Sequence, residues 1–182
     1  MILLHRKVTL CLLILVFFVP EHAMASQRED AIKSGFIYNF ARYSQGEWFD
    51  ATQQSSYNLC SFDTQFVDVA THTLNNLNIE NVPVVVHLLT STTEKISDCN
   101  TLFISKNDID KWMYLVTNKS LSKLKLMLVG ESDDFIASGG QINFFITGGK
   151  VRFEVDTVKL ERAGIHMSSR VLRLGRTHKG SL

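Results

Sequence analysis

Proline is nearly missing from this chain, with two in 182 residues, and no Ser-rich, Gly-rich or repetitive tract takes its place. A linker between domains needs such a stretch, so the economical reading is one continuous domain. Charge of one sign is missing as well: 19 Lys and Arg stand against 18 Asp and Glu, a net charge of +1. A protein that holds phosphate backbones releases counterions with a basic excess, and without one no nucleic-acid partner is expected. No apolar run reaches the roughly 20 residues that cross a bilayer as a helix. Yet 45% of the residues are apolar, enough to bury a real core and too many for a disordered chain.

Catalytic motifs are equally scarce. There is no Cys-x-x-Cys, no Gly-x-x-x-x-Gly-Lys phosphate loop and no Gly-x-Ser-x-Gly elbow. His72, His87, His166 and His178 have no Cys, His or carboxylate at ligand spacing, so neither a metal nor a cofactor is expected. Ser138-Gly139-Gly140 reads as a turn, and Ser168-Ser169 as a helix cap, rather than as nucleophiles. Glu131, Asp133 and Asp134 read as the charged start of a helix through Phe135 and Ile136, a cation site being the alternative. Elimination leaves a binding module and no enzyme.

What is present begins with a leader. His5, Arg6 and Lys7 make a basic start, Val8 to Val19 is an apolar run, Pro20 breaks it, and Ala23-Met24-Ala25 supplies small residues before a cut. This pattern predicts export with cleavage between Ala25 and Ser26, so that 1–25 is a signal peptide and 26–182 the working domain, an uncleaved N-terminal anchor being the alternative. Cys11 leaves with the leader. Cys60 and Cys99 remain, in a compartment where disulfides persist, and one bridge closing a loop of about 40 residues is the simplest use of them. A redox switch and two free buried thiols are the other uses open to the pair.

Along the domain, apolar residues at helical spacing (Ile32, Phe36, Phe40, Tyr43) predict a first amphipathic helix that stops near Gly46. Tyr57 to Ser61 is a short strand, and Asp63 caps a helix carrying Phe66, Val69, Ala70, Leu74 and Leu77. Val84-Val85-Val86 with Leu88 reads as a strand buried on both faces, and Thr101 to Ile104 as another. Ile109, Trp112, Met113 and Val116 make a helix capped by Ser105 or Asn107, followed by a strand within Leu124 to Val129. Gly148-Gly149 is a type I′ hairpin turn, because both positions need positive φ. Counting outward pairs Ile146 with Val151, Phe144 with Phe153 and Ile142 with Val155 on an apolar face. The other face is polar except for Phe145, which either lies under a helix or stacks beneath Arg152 in a contact surface. Asp156 caps a short helix ending at Gly164, and Ser168 or Ser169 starts a last one before Gly175. The fold class is therefore α/β: a single domain with a mixed, partly parallel sheet, a C-terminal β-hairpin and about five flanking helices.

Several segments together resemble the YfiR family of periplasmic regulators: "IKSGFIYNFARY" (32–43), "YNLCSF" (57–62), "DCNTLFIS" (98–105) and above all "FIASGGQINFFITGGKVRFEVDTVKLERAGIHMSSRVLRLG" (135–175). Family members usually continue the first block with an aliphatic residue, Trp and Pro, where this chain has Ser44-Gln45-Gly46-Glu47-Trp48-Phe49. The resemblance implies a periplasmic, non-catalytic domain, commonly a homodimer, that represses an inner-membrane diguanylate cyclase by engaging its periplasmic portion. Release, through redox stress or sequestration by an outer-membrane lipoprotein, then raises cyclic di-GMP and promotes biofilm. It also places Cys60 and Cys99 on the family's cysteine positions. Phe145, Arg152 and Trp48 are the candidate partner contacts. The alternative is a small-ligand sensor with an apolar pocket formed by Phe36, Tyr38 and Trp112.

Overall fold

A computed structural model describes residues 21–92, 96–118, 121 and 124–178, so most of the expected leader lies outside the described residues. In chain order the elements are α1 (Glu21–Arg42), β1 (Ser44–Gly46), β2 (Tyr57–Ser61), α2 (Thr64–Thr73), β3 (Asn78–Ile79), β4 (Val82–Leu88), β5 (Thr101–Ile104) and α3 (Ile109–Asn118). There follow β6 (Met127–Gly130), β7 (Ile142–Thr147), β8 (Lys150–Asp156), α4 (Thr157–Arg162), β9 (Ile165–Met167), α5 (Ser169–Leu172) and β10 (Arg176–His178). One mixed sheet runs in the order β10-β8-β7-β6-β5-β2-β4-β3, and β1 pairs separately with β9. From β4 through β2, β5 and β6 to β7 the neighbours are parallel, and β7 and β8 form the antiparallel hairpin.

Because successive side chains alternate, each central strand feeds two cores. Tyr57, Leu59, Phe103, Met127, Val129, Phe144 and Phe153 meet α1 and α2 through Ile37, Phe40, Phe66 and Ala70. Cys60, Leu102, Ile104 and Leu128 face the other way, against Trp112 and Leu115 of α3 and against Phe135. The result is a three-layer sandwich. On the first face, the Phe40 ring stands edge-on to Phe153 at 4.7 Å.

Caps and turns follow local chemistry. Asp63 accepts from the Phe66 amide, Asp156 from that of Lys159 and Ser168 from that of Arg170, each starting a helix. Gly148 and Gly149 take φ of 56° and 68°, and the hairpin register pairs Ile142, Phe144 and Ile146 with Val155, Phe153 and Val151.

Helix faces differ from the periodicity. The buried side of α1 carries Lys33, Ser34, Ile37, Phe40 and Ala41, while Ile32 and Tyr43 are exposed. On α3, Trp112 and Leu115 are inward and Met113 and Val116 outward, and Ser105 donates its hydroxyl to Asp108 instead of capping. Strand β4 is half-buried, not covered on both faces, with Leu88 exposed, because it lies next to the short edge strand β3. Residues 131–140 form successive turns, not a helix. There Phe135 is wedged so tightly that a Cβ on Gly130 or on Gly140 would lie 2.5 or 2.2 Å from its ring.

Candidate functional site: the hairpin end and the strand-end crevice

At the hairpin end the sheet outruns its helices. The apolar face continues past Phe144 and Phe153 to Val151, half-buried, and Ile146, 52% exposed. Beside it lies a groove of about 320 Å³ formed by Phe36, Tyr43, Phe153, Arg170, Val171 and Leu174. Leu174 is 65% exposed. No acidic side chain lines this groove, and Arg170 and Arg42, whose guanidinium lies 5.7 Å from the Tyr43 ring, form no ion pair with any described residue. An apolar floor with a cationic rim is what an acidic, amphipathic protein segment recognises.

On the opposite face of the hairpin, Phe145 is half-buried, with the Arg176 guanidinium 4.5 Å from its ring centre. The sequence pairs Phe145 with Arg152, and in the ladder the two are indeed opposite, but Arg152 projects into solvent and the cation on the ring comes from β10. Strand β10 lies parallel to β8, and its His178 meets Glu154 at 3.0 Å. A three-residue strand such as β10 has too little pattern to detect in the sequence. Trp48, by contrast, is buried at 3% exposure against Phe49 and Tyr57 and offers no surface to a partner.

Open parallel sheets take ligands in the crevice outside the carboxyl ends of their strands, where the strand order reverses. Here the reversal is at β2, between β4 and β5. The crevice is filled by the chain itself. Lys33, 3% exposed, reaches from α1 to Glu131 just beyond β6, and to Glu29 at 2.6 Å. Glu131 also accepts from the Lys106 amide beyond β5, while Asp30 accepts from Gln65 of α2 at 2.6 Å. Burial works to lower the Lys33 pKa, but the charge and hydrogen bond of Glu131, with those of Glu29, outweigh it and hold the ammonium above its ordinary value. Burial lifts Asp30 above the usual aspartate value, against the Gln65 hydrogen bond and the Lys33 charge, with Glu131 and Asp63 adding to the rise. This cluster escaped the sequence reading. Glu131 reads there as a helix start or a cation site, and the Glu29/Lys33 spacing of four ordinarily marks a solvated pair.

Cys60 and Cys99 form a disulfide with Cα atoms 5.9 Å apart. The strands β2 and β5 are parallel neighbours, so the bridge depends on the connection: a 3₁₀ turn at Ile96–Asp98 folds the chain back over the second core, beside Cys60.

The pocket expected from Phe36, Tyr38 and Trp112 does not form. Phe36 and Tyr38 pack on one face of the sheet and Trp112 on the other. Trp112 does line a cleft of about 470 Å³ with Leu124, Leu128, Gln141, Lys159 and Arg162. Most of its polar groups are already committed: the indole to Ser138, the Gln141 amide to the backbone of Leu126 and Leu128, and Lys159 to the Ile136 carbonyl. Among the described residues no three His, Cys, Asp or Glu side chains are placed to hold a metal ion, and no helix is long and apolar enough to cross a membrane.

Comparison with known proteins gives one family. The family model described as YfiR/HmsC-like matches residues 30–176. No curated protein matches the chain. Among solved structures it is similar to the ABC domain in complex with L-Trp from Streptococcus pneumonia, at 8% identity and a TM-score of 0.51, covering 82% of this chain and 60% of that one. The chain thus spans under two thirds of that structure, and at this identity the likeness is one of fold.

Proposed function

The chain belongs to the YfiR/HmsC-like family, and from that membership we propose that it holds an inner-membrane diguanylate cyclase inactive by binding its periplasmic portion. The family is periplasmic and regulatory, without catalytic activity. In this reading residues 1–25 are removed on export, the domain 26–182 works as a homodimer, and an outer-membrane lipoprotein competes for it. Freeing the cyclase raises cyclic di-GMP and favours biofilm.

One observation carries the proposal: an apolar groove between α1, Phe153 and α5 that is lined by Arg170 and by no acidic side chain, with Leu174 exposed at its edge. A small-ligand sensor is the second reading, and the cleft around Trp112 is its strongest support. The filled crevice and the committed polar groups weigh against it.

The test is titration of the exported protein against the purified periplasmic domain of a membrane diguanylate cyclase from the same cell. Saturable binding is expected, weakened at least tenfold by Leu174→Glu and by Arg170→Glu. Absence of binding, or wild-type affinity in both variants, ends the reading.

A further inference from the structure

The ionic cluster in the crevice is short of positive charge. Glu29, Asp30 and Glu131 surround one ammonium, that of Lys33, and Asp63 acts on Asp30 from the cap of α2. Ser26 lies at the edge of this cluster. A single Gln65 amide nitrogen donates to the Ser26 hydroxyl at 2.8 Å and to the Asp30 carboxylate at 2.6 Å, so those two groups share one small space.

A second feature points to the same residue. Ser26-Gln27-Arg28-Glu29 has the spacing of a capping box, in which a Ser begins a helix and the Glu three positions on reaches back to its backbone nitrogen. In the full-length chain the helix runs through Ser26 from Glu21, and the box caps nothing. Cleavage between Ala25 and Ser26 makes that nitrogen the chain's α-ammonium.

We propose that removal of the leader creates a structural cation: the Ser26 hydroxyl caps the shortened α1 while its α-ammonium donates to Glu29 and Asp30, which locks the helix to α2 and to the end of β6. Cleavage hydrolyses the Ala25–Ser26 amide with water, leaving a carboxylate on the leader and the amine on the domain. Export then becomes a folding signal, because processing adds a second positive charge to a crevice in which Lys33 alone faces Glu29, Asp30 and Glu131. The proposal rests on the leader assignment made above.

The groups facing the ammonium are Glu29, Asp30 and Lys33 from α1, Asp63 and Gln65 from the start of α2, and Glu131 from the end of β6. Carboxylates outnumber ammonium groups among them, so the amine is held protonated. Its folded pKa lies above the unfolded value, and the stability it adds is complete below the ordinary α-amino range of about 7.7–8.0 and lost as pH rises through the folded value.

The experiment uses protein purified from the periplasm. Its N-terminus is read by intact mass, and the α-amine is titrated by competitive acetylation with acetic anhydride, scored on the N-terminal peptide. A chain starting at Ser26, with a midpoint about one unit above the ordinary range and about fivefold lower reactivity at pH 8, supports the proposal. Glu29→Gln and Asp30→Asn each lower the midpoint, the first with the buried Asp30 still in place. A start other than Ser26 overturns both the leader assignment and the proposal. A start at Ser26 with an ordinary midpoint, unchanged by either substitution, overturns the proposal alone.

Discussion

Lys33 is a residue whose value depends on its partners. Three carboxylates approach it, and the side chain is almost entirely out of water. Removing one member of such a group leaves the others buried and uncompensated, at a cost of about 3–5 kcal/mol. Lys33→Ala is expected to show that loss in urea denaturation, and Lys33→Met with Glu131→Gln to recover part of it. Asp30 gives the pH dependence. Its folded pKa is raised from 3.8, so as pH falls toward that value the folded state takes up the proton first and stability from this group rises. Lys33, also raised, contributes stability that is present below its ordinary 10.5 and lost above it. Asp30→Asn should therefore gain on the wild type near neutrality and lose that advantage as pH drops toward 4. An advantage that stays constant with pH contradicts the assignment.

At the level of elements, the hairpin was legible in full, register included, because the Gly148-Gly149 turn and the alternation around it are local. Gly149 has φ of 68°, and Gly149→Val is expected to cost about 1–2 kcal/mol by equilibrium unfolding without loss of the fold. The caps Asp63, Asp156 and Ser168 were legible for the same reason. Helix α1 was legible in extent near its C-terminal end and not in orientation. Periodicity assigned Ile32 and Tyr43 to the core, but the helix turns Lys33 and Ser34 inward, since the end of β6 supplies a carboxylate there. The exposed Tyr43 instead joins the groove with Leu174, and no local pattern tells such a half-exposed apolar residue from a core one.

For the whole molecule, the disulfide is the long-range tie. It joins residues 39 apart and both cysteines are buried, so reduction requires opening of the second core. Chain entropy assigns such a loop about 3–4 kcal/mol. The Cys60→Ala/Cys99→Ala variant should melt roughly 10 °C lower at this size, and native protein should be reduced by dithiothreitol much more slowly than protein in urea. Equal reduction rates would mean that the bridge is not sealed in the core. By itself the sequence determined the class of the fold, the longer strands and the hairpin, the caps Asp63, Asp156 and Ser168 and a motif inventory empty of catalytic sites. These depend on neighbours within a few residues, where backbone sterics and side-chain alternation decide the outcome. Only the tertiary structure decided that Lys33 meets Glu131 across 98 residues, that Arg176 rather than Arg152 covers Phe145, and that Trp48 is core. Such pairs form when the strand order 10-8-7-6-5-2-4-3 brings distant segments to one end or one face of the sheet, and that order is set by the packing of the whole chain.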